Sequence, residues 1–272
     1  MRIKSLVASF AILFAPAMAA AAPAPAPTLM TPTGPWNVEY ADSMCLLSRP
    51  YGKDRSTSLV LKPSMLGDDL EIIVTQATTS VRDRKSGRAY LAVAGGSASG
   101  NARFTAYSSA KTRLLRINAD EDAKIALSAV RGSLSIDAKH ESRHLFAIPG
   151  IDQALPVLAD CIAQLRKVYK VSEADLAAIV TTPAANVYSF FSTNDYPAEA
   201  LSNGQTGTVG VLVWVEATGR VSTCEIIESS AAKVLEKATC NILQRRARFT
   251  PAKDAVGNAV RAPSFTRIMW IM

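Results

Sequence analysis

His140, Glu141 and His144 stand in the segment KHESRH in the order H-E-x-x-H. On a helix that spacing puts two imidazoles on one face around a zinc ion, with the glutamate as general base for hydrolysis. The chemistry needs a long helix and a third ligand. This chain has 2 histidines in all, so a third ligand would have to be a carboxylate from an unmarked position. The flanks RGSLSID and FAIPG also argue against a helix, because SLSID alternates and Pro149 leaves room for a short turn at most. In an extended chain the Cα atoms of residues 140 and 144 would lie about 13 Å apart, at ~3.3 Å per residue, too far to share one metal. A polar strand or turn edge is therefore predicted. A zinc metallohydrolase built on HESRH is kept as an alternative that metal analysis would decide.

The same shortage of histidine limits Ser-His-Asp and Cys-His hydrolysis, and neither a G-x-S-x-G elbow nor a cysteine-protease signature is present. GGSASGN at 95–101 has no helix start or lysine behind it to make a phosphate cradle, and reads as a hairpin loop. No catalytic residue, metal ligand or cofactor is predicted.

The remaining reactive side chains are four cysteines, Cys45, Cys161, Cys224 and Cys240. None has a C-x-x-C neighbour. The chain opens MRIKSLVASFAILFAPAMAAAA, with Arg2 and Lys4 ahead of an apolar run and small residues after it, the anatomy of a secretory signal peptide. Export to an oxidising compartment makes disulfides the expected state of an even cysteine count. Three pairings are possible. If the chain divides between Cys161 and Cys224, only Cys45–Cys161 and Cys224–Cys240 keep each bridge within a domain.

Loss of residues 1–22 removes Arg2 and Lys4 and no acid, lowering the net charge from +7 to +5. That mild excess is scattered except in LRKVYK and LQRRARF, so it reads as solvated faces, and no nucleic-acid partner is predicted. APAPAPTLMTPTGP, residues 22–35, is too rich in proline for a helix or a sheet and is expected to be an extended spacer.

WNVEY, STSLVL, LEIIVTQ, RAYLAVA, ARFTAYS, TRLLRI and GSLSID are β-branched or aromatic runs at regular intervals, which suggests a sandwich or barrel. IDQALPVLADCIAQLRKVY then turns helical, with Leu155, Leu158, Ala159, Ile162 and Leu165 as its apolar stripe and Cys161 beside them. A bridge from Cys161 to Cys45 would staple this helix across the domain. Periodicity fails around Thr181-Thr182-Pro183, as in a link.

Beyond the link, GTVGVLVWVEATGRVSTCEIIESS reads as a β-hairpin. Val209, Val211, Val213 and Val215 alternate, Leu212 and Trp214 make the other face apolar, and Thr218-Gly219-Arg220 supplies the turn. Ser229-Ser230 is expected to cap a helix buried through Leu235, Ala238, Ile242 and Leu243, broken at Pro251. SFTRIMWIM is a final strand. Cys224 shares strand parity with Ile226, and Cys240 lies about 60° around the helix from Leu243 at ~100° per residue, so a helix packed on that sheet face brings the two together.

Tyr196-Pro197, Ala200, the run 207–215, Gly219-Arg220-Val221, Ser229-Ser230, Leu235, Arg248-Phe249-Thr250-Pro251-Ala252, Gly257 and Trp270 resemble, in order and spacing, the C-terminal domain of TonB-type energy transducers. The resemblance covers about residues 190–272. It implies a periplasmic α+β module, a short antiparallel sheet with one helix across it, that recognises outer-membrane TonB-dependent receptors by adding a receptor strand to an exposed sheet edge. The edge maps to Phe265, Thr266, Arg267, Ile268, Met269, Trp270 and Ile271, and homodimerisation through it is a further possibility. The chain departs from the family in lacking a long charged spacer and in having Ser192-Thr193-Asn194-Asp195 before Tyr196. A membrane-anchored energy transducer with an uncleaved first helix is the alternative.

The expected fold class is thus α+β, a mostly-β domain with a C-terminal helix followed by a small TonB-like domain. The expected organisation is a signal peptide at 1–22, a spacer at 23–35, the β-rich domain at 36–172, a linker at 173–195 and the C-terminal domain at 196–272.

Overall fold

The computed structural model describes residues 26–41, 43–67, 70–93, 99–109, 111–119 and 132–272. The expected signal peptide and most of the GGSASGN loop lie outside them.

The N-terminal part is built on one ten-stranded sheet. Its strands are β1 (Leu29–Met30), β2 (Asn37–Tyr40), β3 (Cys45–Tyr51), β4 (Thr57–Pro63), β5 (Leu70–Ala77), β6 (Lys85–Val93), β7 (Ser99–Ser108), β8 (Thr112–Ala119), β9 (Ser133–Ala138) and β10 (Ser142–Ala147). They lie in the order β1-β10-β9-β6-β7-β8-β5-β4-β3-β2, and every pairing is antiparallel except β1 with β10. Alternation decides which way each strand faces. Leu59 and Leu61, Ile72 and Val74, Leu115 and Ile117, and Leu134 and Ile136 all turn to one buried face.

That face wraps helix α1 (Ile151–Val168), making a half-barrel rather than a two-sheet sandwich. The stripe α1 buries is Ile151, Ala154, Leu158, Cys161 and Leu165, a 3-4-3-4 spacing. Of the residues expected there, Leu158 and Leu165 are core, Leu155 and Ile162 half-buried and Ala159 exposed.

The expectation that residues 22–35 join no sheet is corrected. Leu29 and Met30 pair with Leu145 and Phe146, after which Pro32 bridges Tyr51 and Thr33 N–H donates to Pro50 O at 2.9 Å. Two residues between prolines suffice for a strand on a sheet edge, where missing N–H groups cost little. The segment straps one margin of the half-barrel to the other. Tyr51 reinforces it by donating Oη–H to Ala147 O at 2.9 Å.

Residues 173–195 hold α2 (Glu173–Ala177), whose Ser172 and Asp175 form a reciprocal capping box. Val180 N–H and Thr181 N–H then donate to Lys253 O, and Ala184 and Thr250 exchange backbone bonds. The stretch expected to be a link is tied to the C-terminal part.

In that part, α3 (Ala198–Ser202) precedes the strands β11 (Gly207–Val215) and β12 (Val221–Ser229), α4 (Lys233–Arg246), the two-residue strands β13 (Ala252–Lys253) and β14 (Ala259–Val260), and β15 (Ala262–Trp270). The three long strands form an antiparallel sheet ordered β12-β11-β15. One face, Val209, Val211, Val213 and Val215, packs with Leu235, Ile242, Leu243, Ile268 and Trp270. The other puts Leu212, Trp214 and Ile227 into the core of the N-terminal part, with Phe265 half-buried beside them. The molecule is α+β, as expected.

Two local expectations are corrected. Neither Ser229 nor Ser230 is the N-cap of α4, which is Ala232 and has no side-chain cap hydrogen bond. Ser229 ends β12 and accepts from Ala231 N–H, and Ser230 accepts from Thr208 N–H, so both hydroxyls fasten the strand end. Helix α4 stops at Arg246, well before Pro251, because Ala247 is already extended.

Candidate functional site

The H-E-x-x-H segment forms a hairpin. His140 occupies the turn after β9 with φ 65°, and His144 lies inward on β10. His144 is 7% exposed, stacks on Phe146 at 5.6 Å and approaches Ser142 Oγ at 3.2 Å. Burial, with help from the Arg113 charge, lowers its pKa to about 4. The Glu141 side chain, 5% exposed, lies between Arg113 and Lys85, its carboxylate 3.6 Å from Lys85 Nζ. The glutamate is held by cations and the two imidazoles have separate surroundings. Among the described residues no cluster of three or more His, Cys, Asp or Glu side chains could hold a metal.

Both disulfides expected from the domain division are present. Cys45 on β3 is bonded to Cys161 on α1, with Cα atoms 6.0 Å apart, and Cys224 on β12 to Cys240 on α4, at 5.6 Å. The second clamps the helix onto the sheet whose opposite edge is β15.

Strand β15 pairs with β11 from Ala262↔Val215 to Trp270↔Gly207, and no strand among the described residues lies beyond it. Pro263 has no N–H to offer, and Arg267 O accepts from Tyr188 Oη–H at 3.4 Å. Both observations mark the parity set Pro263, Phe265, Arg267 and Met269 as the one whose backbone points away from β11. The predicted edge residues divide accordingly. Ile268 and Trp270 are buried toward α4, and Thr266, half-buried, shares their parity. Met269 is exposed, and Phe265 and Arg267 turn toward the N-terminal part. Ile271 falls just past the strand and is 70% exposed.

Arg267 belongs to a row of charges that crosses between the two parts. Its Nε donates to Glu228 Oε1 on β12, across Gly210 on β11, where a Cβ would lie 2.4 Å from Glu228 Cγ. Glu228 Oε2 is 3.8 Å from Lys62 Nζ on β4. Lys62 is 4.0 Å from Glu71 Oε2, and Glu71 Oε1 accepts from Arg116 Nε at 2.5 Å. Burial lowers the pKa of Lys62 further than the nearby carboxylates restore it. Burial opposes ionisation of Glu228 too, but the hydrogen bond and charge of Arg267, with the charges of Lys62 and Arg116, outweigh it and its pKa is lowered. Lys62, Glu71, Glu228 and Phe265 to Arg267 line a cleft of about 290 Å³, together with Met65 and Leu165.

Lys62, Glu71, Glu228 and Tyr188 had no signal in the sequence. The first three are isolated charges in unremarkable strands, and Tyr188 falls in the stretch expected to be a link.

Residues 192–272 match the family described as Gram-negative bacterial TonB protein C-terminal. Among curated proteins, none matches the chain.

Proposed function

We propose that this chain is a non-enzymatic binding protein of the Gram-negative periplasm, whose C-terminal module accepts an extended segment of an outer-membrane transporter of the TonB-dependent kind. The family match over residues 192–272 supports the kind of partner. The observation that carries the reading is the outer side of β15, which has no strand partner among the described residues and whose hydrogen bond from that side is the long one from Tyr188 to Arg267 O. A row of backbone donors and acceptors in that state is a template for one more strand. The module is preassembled for it, since the Cys224–Cys240 bridge and the packing of Trp270 hold the sheet without the guest.

The role of the module is recognition. Among the described residues no helix is long and apolar enough to cross a membrane.

Titration of the isotope-labelled full chain with a peptide carrying a transporter's N-terminal box tests it. Amide shifts are expected in residues 264–272. Met269→Pro, which removes an outward N–H while sparing the β11 ladder, is expected to abolish them. Shifts elsewhere with this edge silent would overturn the reading. Met269, Ile271 and Met272 are exposed at 52%, 70% and 68%, which favours a second copy as the rival occupant. A concentration-dependent dimer in sedimentation that excludes the peptide would assign the edge to it.

A further inference from the structure

The cleft between the two parts of the molecule meets the candidate edge strand at Phe265, Thr266 and Arg267 and continues to Met65, Leu165 and Lys62. A strand added to β15 would run about 4.8 Å from it, with side chains alternating between the α4 face and the face turned to the N-terminal part. Guest residues of the second kind, opposite Phe265 and Arg267, project where the cleft opens.

The cleft itself is lined by Lys62 and Arg267 against Glu71 and Glu228, and Arg116, bonded to Glu71 from outside the cleft, leaves the connected ionic row one negative charge short. Each arginine is hydrogen-bonded to one carboxylate. Lys62 Nζ, on a side chain 15% exposed, is 4.0 and 3.8 Å from the two carboxylates, beyond hydrogen-bond reach of both. Its three donors face a cleft that Met65, Leu165 and Phe265 line along with Glu71, Glu228 and Arg267, and burial lowers its pKa further than the two carboxylates restore it. The volume of about 290 Å³ leaves room for a carboxylate side chain.

We propose that this cleft is a side-chain pocket of the strand-acceptor site, taking an acidic residue of the incoming segment and placing its carboxylate on Lys62. This rests on the strand-addition reading above. It gives the N-terminal part a share in partner selection, because the residue that reads the guest's charge belongs to β4 while the backbone that holds the guest belongs to β15.

Two synthetic octapeptides of alternating valine and threonine, identical except for one central glutamate or glutamine, provide the test by fluorescence anisotropy on the full chain. The glutamate peptide is expected to bind about tenfold tighter, the effect of one charge-assisted hydrogen bond. Lys62→Gln is expected to erase the preference and Lys62→Arg to keep most of it. Equal binding of both peptides to the unmodified chain, abolished by Met269→Pro, would overturn the pocket while leaving edge addition in place. Binding of neither, or binding that Met269→Pro does not touch, would overturn edge addition and the pocket with it. The comparison of the two peptides on the unmodified chain needs no variant to fold.

Discussion

Trp270 donates its indole Nε1–H to Thr239 Oγ1 at 2.9 Å, joining the end of β15 to the middle of α4 inside the core of the C-terminal module. Thr239 in turn donates to Leu235 O at 2.8 Å, and its residue has no exposed surface. Phe191 and Tyr196 meet the same indole edge-on, with ring centroids at 5.8 and 5.2 Å. The end of β15 is thus anchored from behind by one hydrogen bond and two aromatic rings. Thr239→Val keeps the volume and strands the indole N–H. It is expected to cost about 1 to 3 kcal/mol in urea unfolding, with Thr239→Ser closer to the parent.

The two disulfides should separate in the same experiment. Cys224 and Cys240 are 16 residues apart, and Cys45 and Cys161 are 116 apart. Chain entropy puts the first at about 3 kcal/mol and the second at about 4 to 5 kcal/mol. Replacing Cys224 and Cys240 together by alanine is expected to lower stability by about 2 to 3 kcal/mol, and the Cys45/Cys161 double replacement by more. Reductant should then lower each double variant only through the bridge that remains.

The hairpin turn makes a sharper prediction. Gly219 has φ 78°, and a Cβ there would lie 2.2 Å from Phe249 O, while Gly219 O accepts from Phe249 N–H at 2.9 Å. Handedness and space both exclude a side chain. Gly219→Ala is expected to destabilise by about 2 kcal/mol or more, because the turn and the Phe249 backbone cannot both keep their places. A loss well under 1 kcal/mol in urea unfolding would show that the loop yields easily.

What could be foreseen in the sequence were the features repeated along it. Val209 to Val215 alternate, so β11 and its partner were legible, and the parity of Cys224 with the helical position of Cys240 located a bridge the structure contains. The half-barrel's closure was not. Leu29 and Met30 find their partners in β10, far along the chain, and β3 hides its alternation behind Ser48-Arg49-Pro50. Strand β15 was legible as a strand from Phe265, Thr266, Ile268 and Trp270. Lys62 beside that strand was not legible, since a single lysine carries no period and its meeting with Glu228 depends on how two sheets pack against each other.

The buried histidine of the H-E-x-x-H match sets a pH dependence. Burial holds the His144 pKa at about 4 in the folded chain, against an ordinary 6.5. Between those values the unfolded chain binds the proton and the folded chain does not, so acid favours unfolding and stability rises with pH through the window. From pH 7.5 to 5.0 the loss is about 2 kcal/mol, approaching ~3 kcal/mol below pH 4, where both states are protonated. His144→Leu removes the titrating group from a site already lined by Phe146 and should flatten the profile between pH 6.5 and 4.5, whatever it does to absolute stability. Urea midpoints at pH 7.5 and 5.0 for parent and variant measure this. A parent whose midpoint is the same at both values would mean that His144 reaches water in the folded chain.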